Sequence, residues 1–289
     1  MEIGKFVKPI HENALISECF RSLVDFWKKN KEYPMRLAHG PYHLISVAYR
    51  AMELSRNNEE LDGRANEVYI AGLLHEPSRT IGTTQQVPGM ELHGEDMAKL
   101  AKEICVGAGI TNQISVDEVL HAIYSHHDGR QVRNAMDQVL FVADKADMKI
   151  ERVFGYVWDY NDECKRKGKE GFSKVADVYS AFLRKLYSVR SIIPQTQGIL
   201  TALDVWDETL SMLNALTKGE AQGDIELVDC VELYALREAS LNIAFLMELN
   251  IGPEDCYQIM GKYNDLLLSL TKGGTLTKLK DYLNYLETI

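Results

Sequence analysis

Histidine is missing from residues 128–289, although eight histidines occur between His11 and His127. A random scatter would spread them along the whole 289-residue chain. Imidazole is the commonest protein ligand of transition metals and the usual proton carrier near neutral pH. Any chemistry that depends on histidine is therefore expected in the N-terminal part of the chain.

Several further features are absent. The five cysteines are odd in number and far apart, and no Cys-x-x-Cys pair occurs, which argues against a thiolate zinc site and a dense disulfide framework. No run of 18 apolar residues is long enough to cross a membrane. The start of the chain has no basic segment followed by an apolar run and a cleavage site. These absences predict a reduced, cytoplasmic protein without a membrane span.

Positive charge is also scarce. The chain has 32 basic against 42 acidic residues, and its formal net charge is −10. A field of that sign does not attract nucleic acid or an anionic membrane non-specifically, although it leaves room for a local basic cleft. The composition is otherwise that of an ordinary globular protein, with 46% hydrophobic residues, and its length suits one large domain or two modest ones.

Apolar residues recur at spacings of three and four along most of the chain, and no alternating stretch is long enough for a sheet. The predicted fold class is therefore all-α. A boundary is expected near residue 150, and residues 78–89 are predicted to form a loop because they contain two glycines and Pro88. The predicted helices are Asn13–Lys29, Pro41–Leu54, Ala65–His75, Glu91–Cys105, Ser115–His127, Met136–Met148, Phe172–Arg190, Gln197–Leu216, Ile225–Asn250, Pro253–Leu270 and Leu276–Leu286.

Imidazoles and carboxylates fall at the ends of successive predicted helices, an arrangement typical of a metal site. Asp144 lies in an otherwise apolar run, where an unpaired carboxylate costs several kcal/mol and needs a cation or a strong donor. A lone histidine on an apolar face is more often a satisfied core residue. A single metal ion would nevertheless explain the presence of all four polar residues Asp144, His43, His75 and Glu76. Without a metal ion, each of them needs its own explanation.

The order of these elements resembles the HD-domain superfamily of metal-dependent phosphohydrolases. The resemblance covers roughly residues 36–150 and implies an HD-type helical domain over residues 1–150 with a C-terminal helical bundle over 151–289. The chain is most similar to branches with extra histidines for a second metal, such as bacterial HD-type diadenosine-tetraphosphate hydrolases and cyclic-dinucleotide phosphodiesterases. The residues that carry the resemblance are His43-x-x-x-Val47-Ala48, Leu73-Leu74-His75-Glu76, His93, Ala122-Ile123-x-x-His126-His127-Asp128-Gly129 and Val142-Ala143-Asp144-Lys145-Ala146-Asp147.

The resemblance implies one or two divalent transition metals (Fe, Mn, Zn, Co or Ni) or Mg, and a metal-activated water. The implied ligands of the first metal are His43, His75, Glu76 and Asp144, and those of the second are His93, His126 and a bridging Glu76. The implied catalytic residues are Glu76, Arg79 and His127, and the implied substrate-binding residues are Arg79, Arg130, Arg133 and Lys145.

Two positions depart from the family pattern. The namesake dipeptide is His-Asp, whereas here it is His75-Glu76, whose extra methylene moves the carboxylate by roughly one C–C bond. Arg79 stands where the family often has a lysine, and arginine is a fixed, bidentate phosphate donor. Asp147 lies one helical turn after Asp144, where it is expected either to bond a ligand histidine or to lie solvated at the surface.

The sequence is compatible with three functions. The leading hypothesis is a phosphohydrolase acting on a nucleotide or another small phosphorylated molecule. The alternatives are a di-iron oxygenase of the same helical core acting on a small organic substrate, and a degenerate HD-domain binding or regulatory protein. The final predicted helix has a narrow apolar stripe that favours internal packing, with a homodimer contact as the second interpretation. His11, His39 and His121 are expected outside the proposed metal site. His11 is expected at the surface, and His39 either at the surface or, as the second interpretation, facing the substrate.

Overall fold

The computed structural model describes residues 3–30, 36–77, 93–126, 131–192 and 199–260. Within these ranges the chain is all-α and contains no strand, which confirms the predicted fold class. Short 3-10 turns at Leu37–His39 and Glu59–Leu61 join some of the helices. The α-helices are α1 Ile3–Glu12, α2 Ala14–Lys29, α3 Pro41–Ser55, α4 Ala65–Leu73, α5 His93–Gly107, α6 Val116–Ser125, α7 Ala135–Lys145, α8 Ile150–Arg166, α9 Val175–Ile192, α10 Ile199–Gln222, α11 Leu227–Glu248 and α12 Pro253–Met260.

Helices α3 and α4 cross at a very short distance. A Cβ atom at Gly72 would lie 2.3 Å from Cα of Ala48, so only glycine allows the two backbones to approach this closely. Pro41 occupies the first turn of α3, where its missing N–H has no intrahelical partner to lose. The crossing brings the start of α3 next to the end of α4, and these two helix ends carry His43 and His75.

Helix α7 packs against α3 and completes this part of the core. Asn134 caps its N-terminus through a capping box with Asp137, each side chain accepting a hydrogen bond from the backbone N–H of the other residue. Leu140, Phe141 and Ala143 are fully buried. Asp144 therefore lies in the last turn of a helix that is held between other helices.

Helices α1 and α8 are absent from the helices predicted above. In α8, Ile150, Val153, Phe154 and Val157 are buried at spacings of three and four, which is the pattern of an amphipathic helix. Polar residues and aromatic residues mixed into the rest of this segment hide the stripe in the sequence. The helix matters because one of its buried residues reaches the candidate site.

Helix α11 joins two hydrophobic clusters. Its N-terminal residues, such as Leu227 and Val231, pack with α8, α9 and α10, while its C-terminal residues, such as Phe245 and Leu246, pack with α1 and α3. The C-terminal predicted helices agree with α9, α10 and α11 to within a few residues, apart from the longer end of α10. The predicted helix Leu276–Leu286 and the predicted loop over 78–89 lie outside the described residues.

All five cysteines are free and buried, so none forms a disulfide bond. Over the part of the chain that the structure describes, no helix combines the length and the apolar character needed to cross a membrane.

Candidate metal centre

Three helix ends bring two histidines and two carboxylates together. His43 lies in the first turn of α3, His75 and Glu76 follow the end of α4, and Asp144 lies in the last turn of α7. All four side chains are buried. Nε2 of His43 lies 3.0 Å from Nε2 of His75, 3.4 Å from Oε2 of Glu76 and 3.6 Å from Oδ1 of Asp144.

The tautomers of His43 and His75 follow from their outer contacts. Nδ1 of His43 donates to Oδ2 of Asp147 at 2.8 Å, and Nδ1 of His75 donates to the carbonyl oxygen of Gly72 at 2.6 Å. Burial lowers the pKa of His75 to about 3, so its ring is neutral and Nε2 carries a lone pair. Two Nε2 lone pairs therefore point into the same space, which is how neutral imidazoles present themselves to a metal ion.

Asp147 holds His43 from behind. It is buried, and its Oδ1 accepts a hydrogen bond of 2.9 Å from the hydroxyl of Ser46. Burial raises the pKa of Asp147, but the hydrogen bond from His43 outweighs this effect, and the pKa falls to about 2. Of the two roles left open for Asp147, the structure supports the bond to a ligand histidine, because such a carboxylate fixes the ring and its tautomer.

Glu76 faces a second group of donors through its other oxygen. Nε2 of His126 lies 3.7 Å from Oε1 of Glu76, while Oε2 faces His43 and His75. Nδ1 of His126 donates to the carbonyl oxygen of Ile123, three residues earlier, as His75 does to Gly72. The two oxygens of Glu76 therefore point toward different histidines, the arrangement that a bridging carboxylate requires.

His39 lies in this cluster and not at the surface, so the surface expectation for it is wrong. Its side chain is 1% exposed, and Nδ1 lies 2.6 Å from Oε2 of Glu76. The Gly40-Pro41 pair does end any helical continuity with α3, but the 3-10 turn Leu37–His39 folds the ring back toward α4. The spacing of His39 and His43, four residues apart, was the available signal.

Arg152 is a functional candidate that the sequence patterns above do not single out. Its guanidinium is 4% exposed and contacts Nε2 of His43 at 2.9 Å and Oδ1 of Asp144 at 3.5 Å. It reaches the cluster from the first turn of α8, the helix that was not predicted. A fully buried arginine beside three carboxylates has a raised pKa, although burial itself opposes the charge, and stays cationic.

Asp144 lies between two cations. Nζ of Lys145 contacts Oδ2 at 2.5 Å, and Arg152 contacts Oδ1. Burial alone would raise the pKa of Asp144, but Lys145 and Arg152 hold it well below the usual range. The carboxylate is therefore ionised and available as a ligand.

The remaining histidines and the other residues that the resemblance implies are not seen in this cluster. Arg133 is exposed just before α7, at the opposite end of that helix from Asp144. Helix α5 begins at His93, but the side chain of His93 is not among the described ones. Arg79, His127 and Arg130 lie outside the described residues. His11 is exposed, and His121 bonds Asp137 on α7 at 2.9 Å.

The donor set fits a divalent metal ion. Bonds of about 2.1 Å to one ion allow its donor atoms to lie up to about 4.2 Å apart. The distances from Nε2 of His43 and of His75 to each other and to the oxygens of Glu76 and Asp144 run from 3.0 to 3.9 Å. Mixed imidazole and carboxylate donors suit Mn, Fe, Co, Ni or Zn.

The fold and the site together define an all-α protein with a buried histidine–carboxylate cluster at the ends of its core helices. The family model described as HD domain matches residues 42–149. This match agrees with the resemblance that the order of the motifs indicated, and it covers residues 42–149 of the 289-residue chain. Comparisons with curated proteins and with solved structures found no match. The match includes His43, His75, Glu76, His126 and Asp144, whereas His39 precedes it and Arg152 follows it.

Proposed function

We propose that this protein is a metal-dependent phosphohydrolase that acts on a nucleotide or another small phosphorylated molecule. The HD domain and its histidine–acid clusters support a metal-dependent hydrolase-type function. In this proposal His43, His75, Glu76 and Asp144 hold the first ion. Glu76 and His126, with His93, hold the second. The donor groups His43–His75–Asp144 and His75–Glu76–His126 are each compact enough for one ion.

The observation that carries the phosphoryl part of the proposal is the pair of buried cations beside the ligands. Lys145 and Arg152 are 10% and 4% exposed, and both contact Asp144. With one divalent ion bound, Lys145, Arg152 and the ion would carry four positive charges against the three carboxylates of Glu76, Asp144 and Asp147. An additional anion would compensate this excess of buried positive charge. A phosphoryl group provides that negative charge and accepts several charge-assisted hydrogen bonds.

Each side chain has a distinct task in this mechanism. A bound divalent ion would polarise a phosphoryl oxygen and lower the pKa of water. Glu76 would bridge the two ion positions, Asp147 would hold the ring of His43, and Lys145 and Arg152 would stabilise charge that develops on the phosphoryl oxygens. His127 and Arg79 keep their proposed roles in catalysis, and Arg79 and Arg130 keep theirs in substrate binding. Arg133 is not included, because it is exposed at the end of α7 opposite to Asp144.

The test combines metal analysis with turnover. The purified protein is analysed for transition metals and assayed on a panel of nucleotides and other phosphoesters. His75→Ala and a chelator are each expected to abolish turnover, while His121→Ala, which alters a histidine bonded to Asp137, serves as the matched control. Absence of both metal and turnover would refute the proposal. Oxygen consumption by the iron-loaded protein without phosphate release would favour the oxygenase.

A further inference from the structure

The guanidinium of Arg152 is anchored at one end and engaged with metal-ligand atoms at the other. Its Nε donates to the carbonyl oxygen of Ala38 at 3.0 Å. One terminal nitrogen lies 2.9 Å from Nε2 of His43, and both terminal nitrogens lie 3.5 Å from Oδ1 of Asp144. The anchor lies on the 3-10 turn that carries His39, so it is independent of the ligand atoms.

The direction of the bond between Arg152 and His43 is fixed by chemistry. A guanidinium group only donates hydrogen bonds, so Nε2 of His43 is the acceptor. Nδ1 of the same ring carries the proton that Asp147 accepts. The ring therefore has a single lone pair, on Nε2, and Arg152 occupies it. A metal ion needs the same lone pair, and one lone pair cannot serve both partners.

The displaced guanidinium has a restricted range. Its Nε anchor to Ala38 keeps it beside the cluster, and Oε2 of Glu76 lies 4.0 Å from its terminal nitrogen. Released from His43, the planar fork of donors suits an anion with two adjacent oxygens, such as a phosphoryl group.

We propose that Arg152 and the metal ion compete for Nε2 of His43, and that the displaced guanidinium then binds the phosphoryl group of the substrate. The competition rests only on the metal site. The second step rests on the proposed phosphohydrolase function and assigns Arg152 as its phosphate-binding residue. Metal binding would thus prepare the anion site, because it frees the donors that the substrate uses.

The first experiment measures Mn²⁺ binding by calorimetry, and then the binding of inorganic phosphate to the Mn²⁺-loaded protein. Arg152→Met keeps most of the aliphatic stem but removes the donors. We expect it to bind Mn²⁺ at least several-fold more tightly than the wild type and phosphate roughly tenfold more weakly, the size of one charge-assisted hydrogen bond. Arg152→Lys, which keeps the charge without the fork, is expected to give intermediate values for both affinities.

The matched control is Arg237→Met. Arg237 pairs with Glu151 at 2.7 Å and does not bond to His43, yet its loss changes the net charge equally. We expect its Mn²⁺ and phosphate affinities to stay within about twofold of the wild type, because this change removes neither competing donor nor phosphate donor. Weaker Mn²⁺ binding by Arg152→Met would show that the arginine supports the metal ligands, and unchanged phosphate binding would remove its role toward the substrate. Either result overturns the proposal.

A second measurement needs no folded variant at position 152. Protein labelled with ¹⁵N-arginine is titrated with Zn²⁺, which is diamagnetic, and the guanidinium signals of the buried arginine are followed by nuclear magnetic resonance. We expect the terminal-nitrogen signals to shift in proportion to Zn²⁺ occupancy, while the Nε signal, held by Ala38, shifts less. Terminal signals that stay constant at full Zn²⁺ occupancy would contradict the exchange.

These outcomes separate this inference from the proposed function. If Arg152→Met binds Mn²⁺ more tightly but the wild type hydrolyses no phosphoester, the competition between Arg152 and the metal ion is supported and the phosphohydrolase function is refuted. If the wild type hydrolyses a phosphoester but Arg152→Met binds Mn²⁺ no more tightly, the phosphohydrolase function is supported and the competition is refuted.

Discussion

Nδ1 of His39 donates a hydrogen bond of 2.6 Å to Oε2 of Glu76, and both side chains are 1% exposed. This contact joins a residue that lies before the HD-domain match to the carboxylate at its centre. It fixes the direction of one oxygen of Glu76, so that the other oxygen faces His126. The orientation of Glu76 therefore depends on His39, which lies outside the residues that the family model matches.

We expect His39→Ala to weaken metal binding. Without the imidazole, Oε2 of Glu76 loses a buried donor, and the loss of an outer partner of a metal ligand typically costs 10–100-fold in metal affinity or activity. Calorimetric titration with Mn²⁺ measures the change. His121→Ala is the control, since His121 bonds Asp137 and not the cluster. An Mn²⁺ affinity within twofold of the wild type would mean that Glu76 is oriented without His39.

Glu76→Asp restores the dipeptide of the HD motif, yet we expect it to lower kcat/KM by tenfold or more. The longer side chain reaches His39 with one oxygen and faces His126 with the other. Withdrawing the carboxylate by roughly one C–C bond breaks at least one of these contacts. Steady-state kinetics on the best phosphoester of the panel provide the measurement. A large gain in activity would instead indicate that glutamate compromises this site.

The residues inside the HD motif were predictable because their chemistry and their helix-end positions are visible in the sequence. His43, His75, Glu76, His126 and Asp144 fall where amphipathic helices begin or end, and the all-α fold follows from the same periodicity. Their convergence on one point follows from the family resemblance, since periodicity alone does not say which helix ends meet.

The residues outside the motif were not predictable in the same way. His39 follows a segment with no clear periodicity, and its burial depends on helices α8 and α11, which are distant in the sequence. Arg152 looks like an ordinary charged residue near the start of a helix. Only tertiary packing, which places α8 against the 3-10 turn, reveals that its charge is buried.

Asn242 on α11 clamps the two segments that carry His39 and His43. Its Nδ2 donates to the carbonyl oxygens of Leu37 and Glu238, and its Oδ1 accepts from the backbone N–H of Tyr42. The intervening Gly40 packs directly on it, since a Cβ atom there would lie 2.2 Å from Oδ1 of Asn242. A helix from the C-terminal part therefore sets the path of the chain into the site.

Gly40→Ala and Asn242→Ala are expected to be strongly coupled. Each single change should lower the free energy of unfolding by about 2–4 kcal/mol, the first by a clash and the second by the loss of buried hydrogen bonds. In the double variant the clash disappears with the asparagine side chain, so the combined loss should fall short of the sum by more than about 1 kcal/mol. Urea unfolding of all four proteins measures this cycle. Simple additivity would show that Gly40 does not pack on Asn242 in solution.

Glu238, one turn before Asn242, is a buried carboxyl group that, unlike Asp144 and Asp147, has a raised pKa. It is 1% exposed, and neither carboxyl oxygen has a hydrogen-bond partner among the described residues. Burial raises its pKa well above the usual range. Asp147 and Glu151 raise it further, and the positive charges of Arg152 and Lys149 only partly oppose this. The folded protein therefore keeps this proton at a pH where the unfolded chain releases it.

Glu238→Gln is expected to stabilise the protein increasingly as the pH rises. Above about pH 4.3, where a glutamate in the unfolded chain ionises, the unfolded wild type binds fewer protons than the folded one, so its stability falls by up to about 1.4 kcal/mol per pH unit until the raised pKa is reached. Glutamine does not titrate, and its advantage should be smallest near pH 4 and grow through pH 7. Thermal unfolding of both proteins from pH 4 to 8 measures the difference in Tm. Glu232→Gln, an exposed position on the same helix, controls for the loss of one carboxyl group. A difference in Tm between Glu238→Gln and the wild type that stays constant with pH would show that Glu238 ionises normally in the folded protein.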